Sequence, residues 1–108
     1  MITILLVDDH AIVREGYRAL LSKQPDLLVI AEAGDGAQAY QLFKETQPDL
    51  VITDISLPVS SGLELISRIK KRSTDAKILV FSMHQNPVYA EQSLTAGSLG
   101  YFTKSSEP

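Results

Sequence analysis

The chain has 108 residues, 44% of them hydrophobic and 21% charged, and no cysteine. A chain of this length can withdraw roughly two-thirds of its unfolded surface from water, enough for one domain around one core and too little for two. Ten basic against thirteen acidic residues leave a net charge of −3, unlike the basic stripe of a nucleic-acid-coating surface, and the lack of cysteine excludes disulfides, thiolate metal sites and thiol redox chemistry, in keeping with a reducing, cytoplasmic setting.

The first predicted strand, Ile2–Val7, is apolar but has no basic stretch ahead of it and meets Asp8 and Asp9 at once. It is therefore no signal peptide, and it is far too short to span a bilayer, so no membrane partner is expected. Ile12, Tyr17, Leu20 and Leu21 then recur at helical spacing, and Pro25-Asp26 stops that helix. A second strand covers Leu27–Glu32. Gly34 and Gly36 precede a helix marked by Ala39, Leu42 and Phe43 and ended by Pro48. After the third strand, Leu50–Thr53, Leu63, Leu65, Ile66 and Ile69 mark the third helix. Its end carries Lys70-Lys71-Arg72, expected to be a solvated, dipole-stabilised C-terminus rather than a DNA contact. A fourth strand, Lys77–Ser82, leads to a helix with Val88, Ala90 and Leu94, closed by Gly97, and a fifth strand follows at Leu99–Thr103.

Runs such as Leu50-Val51-Ile52 and Ile78-Leu79-Val80-Phe81 are apolar on consecutive positions, as strands buried on both faces of a parallel sheet must be. Strict alternation with helices predicts a doubly wound α/β domain, a five-stranded parallel sheet of order 2-1-3-4-5. Ligands of such sheets bind beyond the carboxyl ends of the strands, at the switch point between strands 1 and 3. There the sequence places Asp8-Asp9, Asp54, Ser82 and Lys104 after strands 1, 3, 4 and 5. Singly each has an ordinary role: Asp9 as a helix cap, Asp54 as a strand terminator, Ser82 in a loop, Lys104 as a solvated cation, His10 and His84 as surface residues beside turns. Jointly, three carboxylates raise one another's pKa unless a cation neutralises them. Oxygen ligands and retained water suit Mg²⁺, and Lys104 adds a fixed positive charge. A hydroxyl, a cation and a metal around one carboxylate are the parts that stabilise phosphoryl transfer onto it.

Four motifs stand in order along the chain: Leu5-Leu6-Val7-Asp8-Asp9-His10; Asp54-Ile55-Ser56-Leu57-Pro58 with Gly62; Val80-Phe81-Ser82-Met83; and Gly100-Tyr101-Phe102-Thr103-Lys104. On these the chain resembles the receiver domain of bacterial two-component response regulators. Within that family it is most similar to the NarL/FixJ-type subgroup, whose members usually carry a C-terminal LuxR-type helix-turn-helix. The resemblance implies a flavodoxin-like fold in which Asp54 is the phosphoacceptor. Asp8, Asp9, Asp54 and the backbone carbonyl of Ser56 would hold Mg²⁺, Lys104 would pair with a phosphoryl oxygen, and Ser82 would bond another. Tyr101 matches the aromatic switch that follows the hydroxyl inward, although a strand aromatic packed half in and half out fits the same position. The implied partner is a sensor histidine kinase or phosphotransfer domain, and the implied function is control of an output domain, by transcriptional regulation. The chain would be no enzyme beyond its own phosphorylation and dephosphorylation, and DNA would be met only through a C-terminal domain absent here.

The sequence also departs from the family. Lys104 precedes Ser105 where many receivers have a proline in cis, so either a cis bond costing about 3–4 kcal/mol is maintained or the loop runs differently. Met83 is bulky where a small residue is common, which predicts slow autodephosphorylation. Only Ser105–Pro108 remain where a fifth helix would begin. The expectation is a chain cut short before that helix, exposing an apolar patch on strands 3, 4 and 5, or one that associates through that face as a homodimer or by exchanging segments. Three other readings compete: a non-phosphorylated interaction module of the same fold, an Asp-nucleophile Mg²⁺-dependent phosphatase of the haloacid-dehalogenase type, and an FMN carrier. The phosphatase calls for a second acid where Ser56 stands, and the FMN carrier for a glycine-rich phosphate loop where Asp8-Asp9-His10 stands.

Overall fold

A computed structural model describes residues 1–55, 57, 62–82 and 87–103. Five strands, β1 (Ile2–Val7), β2 (Leu27–Ala33), β3 (Leu50–Thr53), β4 (Lys77–Ser82) and β5 (Gly100–Thr103), alternate with four helices, α1 (Ala11–Leu21), α2 (Gly36–Thr46), α3 (Gly62–Arg72) and α4 (Pro87–Ala96). All pairings are parallel, in the order β2-β1-β3-β4-β5. The predicted sheet is the observed one. Strand β2 runs one residue further than the apolar pattern indicates, to Ala33, and β5 starts one later, at Gly100.

Strand alternation divides the core in two. Leu5, Val7, Val51, Ile78 and Val80 face one side, where Ala39 and Phe43 of α2 and Leu65, Ile66 and Ile69 of α3 cover them. Ile4, Leu6 and Ile52 face the other, with Tyr17 and Leu21 of α1 packed over them. Asp35 caps α2 by accepting from Gln38 N at 2.7 Å, satisfying one donor that the helix start leaves open, and the Gln38 side chain reaches back to accept from Gly34 N, just ahead of the cap, at 3.0 Å. The helix stops at Gln47, whose left-handed φ of 49° turns the chain into Pro48. Gly97, at φ +120°, turns the chain out of α4 while the aliphatic stem of Lys70 packs against it. The Lys70 ammonium donates to the carbonyls of Thr74 and Ala76, so the first residue of the basic run ties down the turn into β4.

Two helical faces differ from the periodicity reading. Of the four apolar positions read in α1, Tyr17 and Leu21 turn inward, while Ile12 and Leu20 are 82% and 61% exposed. In α4, Val88 and Leu94 are exposed, and the helix buries Ser93 and packs Ala96 inward instead. Burial of Ser93 is tolerated because its hydroxyl donates to Ala90 O at 3.0 Å, and the small side chains let α4 approach β5 and α3 closely. Of the face where an apolar patch is anticipated on strands 3 to 5, the described residues cover only part, and Leu99, at the start of the predicted fifth strand, is 61% exposed. Leu79 and Phe81 are half-buried there, with the Phe81 and Tyr17 rings edge to face at 5.6 Å between centroids, and the other exposed large apolar side chains lie on α1, α4 and the sheet margins. No described helix is long and apolar enough to cross a membrane.

Candidate functional site

The switch point is built by register. Val7 pairs with Thr53, and Asp54 N donates to Val7 O at 3.0 Å, so the residues that follow, Asp8 and Asp54, leave neighbouring strands side by side. Asp8 N is in turn bonded to Ala33 O of β2. Both carboxyl residues are buried, Asp8 to 3% and Asp54 to 6% exposure, so they sit in a crevice rather than on the rim. Arg14, Tyr17, Thr53 and Phe81 line the same crevice.

Asp9 does not cap α1. The N-cap is His10, in an extended conformation and without a side-chain capping bond. Its imidazole folds back over the acidic pair instead, with Nδ1 3.0 Å from Asp8 Oδ1 and 2.9 Å from Asp9 Oδ1, while its backbone N–H donates to Asp8 Oδ1 at 2.9 Å. Carboxylate oxygens and a ring nitrogen thus converge within 4.8 Å of one another, a spacing that one metal ion could bridge. The hard oxygen donors of Asp8 and Asp9 fit the Mg²⁺ that the acidic cluster predicts.

The backbone under this site is fixed from two sides. The Arg14 guanidinium donates to the carbonyl of Asp8 and reaches Glu32 Oε1 at 3.3 Å, and Arg18 takes the other oxygen of Glu32. Behind Asp54, Gly62 N donates to Ile55 O at 2.8 Å, and a Cβ at Gly62 would lie 2.3 Å from Asp54 O and 2.7 Å from Ile55 Cα. The Asp54 carbonyl also accepts from the Thr53 hydroxyl at 2.9 Å. Only glycine allows α3 to begin so close to the Asp54 peptide.

Of the residues predicted from sequence, Asp8 and Asp9 converge with His10, while Asp54 lines the same crevice as Asp8 but falls outside that close group. Ser82 ends β4, two residues beyond Val80, the partner of Thr53, and its side chain lies outside the description. Tyr101 pairs with Val80 and packs half-buried against the larger core cluster. Ser56, Met83, His84, Lys104 and the Lys104–Ser105 bond lie outside the described residues. Sequence reasoning left His10 as a surface residue and passed over Arg14 and Glu32. The helical spacing of Arg14 and Arg18, one turn apart on the helix that follows the acidic pair, is the signal that would have flagged them. A groove of about 850 Å³ opens at the opposite end of the sheet, among Phe43, Lys44, Arg72 and Lys77, away from every predicted site residue.

A family model for the response regulator receiver domain matches residues 4–108. The chain is 43% identical over 108 residues to the transcriptional regulatory protein UhpA of Salmonella typhimurium (strain LT2), covering all of this chain and 54% of that protein. It is 37% identical over 106 residues to the nitrate/nitrite response regulator protein NarL of Escherichia coli (strain K12), covering 98% of this chain and 49% of the other. The chain thus spans about half the length of these curated relatives. The crystal structure of a LuxR-family two-component response regulator from Aurantimonas sp. SI85-9A1 superposes on all of it with a TM-score of 0.97, at 47% identity and over 77% of that chain.

Proposed function

The chain belongs to the response regulator receiver domain family, and from that premise we propose that Asp54 accepts a phosphoryl group from a phosphohistidine on a sensor histidine kinase or phosphotransfer domain. The phosphorus–nitrogen bond of the donor breaks, a bond from an Asp54 carboxylate oxygen to phosphorus forms, and the released imidazole keeps the electron pair and takes up a proton. The observation that carries the reading is the side-by-side exit of buried Asp8 and Asp54 from paired strands, with Asp9 beside them.

Asp8, Asp9 and Asp54, with the carbonyl of Ser56, would hold Mg²⁺, which when bound neutralises the crowded carboxylates and orients phosphoryl oxygens. The chain's own part is positional. Backbone bonds from Asp54 N to Val7 O and from Gly62 N to Ile55 O fix the acceptor on two sides, and Arg14 fixes the peptide of Asp8. Lys104 would pair with one phosphoryl oxygen and Ser82 would donate to another, with Tyr101 responding as a two-state aromatic. Phosphorylation would then control an output domain that regulates transcription, as the names of the relatives suggest for those proteins. The exchange would take place in the cytoplasm, with DNA engaged by the output domain and not by this acidic receiver.

The test is intact-mass spectrometry after incubation with Mg²⁺ and a small phosphodonor, beside Asp54→Asn and a chelator control. One phosphoryl adduct on the wild type and none in either control is expected. An adduct that survives Asp54→Asn would overturn the assignment of the acceptor. No adduct even from a phosphorylated kinase domain would leave an interaction module of the same fold.

A further inference from the structure

We propose that Glu32 restrains Arg14, turning its guanidinium onto the Asp8 peptide and away from the Asp8 and Asp54 carboxylates, so that the acidic crevice stays open to an external cation. The proposal rests on the reading of those carboxylates as the place where Mg²⁺ is held. It adds to that reading a positioning residue, Glu32, that keeps the chain's own cation from competing there.

Arg14 lines the crevice together with Asp8 and Asp54. A guanidinium does not lose its charge, and it pairs with carboxylates through two parallel N–H bonds, so in such a crevice it is a rival of a divalent ion for the same oxygens. The structure directs it elsewhere. One amino group of Arg14 donates to the main-chain carbonyl of Asp8, and Nε donates to Glu32 Oε1 at 3.3 Å. Because the guanidinium is planar, these two bonds set its orientation. Among the described residues, the carboxylate that Arg14 pairs with is that of Glu32, and at 21% and 25% exposure the two side chains are partly sheltered from water. Glu32 stands opposite Leu6 in the pairing of β2 with β1, one position before Ala33, whose carbonyl holds Asp8 N. The register that places Asp8 therefore also places the group that holds Arg14. The second oxygen of Glu32 accepts from Arg18, one turn further along α1, so the restraint is itself anchored. Released from Glu32, Arg14 has the rotatable bonds to turn toward the carboxylates beside it.

A double-mutant cycle separates this role from plain scaffolding and from the general effect of charge. Mg²⁺ affinity is measured by calorimetric titration on wild type, Glu32→Gln, Arg14→Gln and the double variant at about 0.15 M salt, where long-range charge effects are screened. Glu32→Gln is expected to weaken Mg²⁺ binding by about threefold or more, and adding Arg14→Gln to it is expected to recover about threefold or more, while Arg14→Gln alone leaves the wild-type affinity unchanged or lowers it. Glu32→Asp, which withdraws the oxygens by one methylene and keeps the charge, takes the place of Glu32→Gln if that variant does not fold. If Glu32 only props up a scaffold, Arg14→Gln brings no recovery. If only net charge matters, Arg14→Gln raises the affinity by the same factor in both backgrounds. Either result overturns the proposal. Failure of the underlying reading looks different: the wild type then shows no Mg²⁺ binding that Asp54→Asn weakens, and the proposal falls with it.

Discussion

Asp49 and Asp8 sit at opposite ends of the same sheet, and their surroundings differ in kind. Asp49 is exposed at the amino end, where the backbone N–H and the hydroxyl of Thr3 donate to one of its oxygens at 2.9 and 3.0 Å, while Asp49 N donates back to the Thr3 hydroxyl. These donors, with smaller help from the N-terminal amine and Lys77, hold its pKa below the ordinary carboxylate value. Asp8 and Asp54 are buried at the carboxyl end, and the same register that pairs β1 with β3 drives them together. One carboxylate is matched to the chain's own donors and clasps β1 to the loop before β3. The others lie side by side in the crevice at the carboxyl end, where Asp8 also accepts from His10 N. Strand polarity separates the two ends: the amino end serves cohesion, and the carboxyl end is where the proposed phosphoryl transfer takes place.

The largest effect is expected where backbone supports the carboxyl end. Gly62→Ala places a Cβ 2.3 Å from Asp54 O and 2.7 Å from Ile55 Cα, and neither backbone atom can yield as a flexible side chain would. Denaturant unfolding should show a loss at or above the roughly 1–3 kcal/mol typical of overpacking, and phosphoryl acceptance should fall with it. If stability fell while acceptance by the folded protein held, the close approach of α3 would serve packing alone.

A smaller effect is expected from Glu32→Ala, which removes the anchor shared by Arg14 and Arg18. These side chains are partly exposed, so a loss of about 0.5–1 kcal/mol is expected, in the range of incompletely buried pairs. Mg²⁺ affinity should drop as well, because Arg14 also holds the Asp8 carbonyl. Unchanged Mg²⁺ affinity would assign the pair to cohesion and blur the division between the two ends.

How far the sequence carries this comparison depends on the kind of residue. The strand ends are legible, because a parallel strand buried on both faces stops abruptly at its first charge, and that places Asp8, Asp9 and Asp54 to the residue. Helical faces are less so. Ile12 and Leu20 follow the period of α1, yet period alone does not say which stripe meets the sheet. In α4 the buried position is a serine, hidden from a hydropathy reading because its hydroxyl is satisfied within its own helix. His10 escaped for a related reason: its direction is set by the N-cap geometry of α1, which turns the ring back over the acidic pair.

The smallest effect tests the amino end by pH. The folded pKa of Asp49 lies below its unfolded value of about 3.8. The ionised carboxylate therefore contributes stability that is fully present above that unfolded value and is lost as pH falls through the lower folded one. Asp49→Asn should lower the unfolding midpoint of the protein at neutral pH by less than Gly62→Ala does. That difference from wild type should shrink on acidification below about pH 4 and vanish once Asp49 is protonated in the folded state. Phosphoryl acceptance at neutral pH should not change, since Thr3 and Asp49 lie at the far end of β1 from Asp8 and Asp54. A midpoint difference that persisted undiminished at low pH would mean that Thr3 is held by the shape of the Asp49 side chain and not by its charge. A fall in acceptance would mean that the clasp at one end of β1 sets the register at the other, which would undo the division of labour between the two ends.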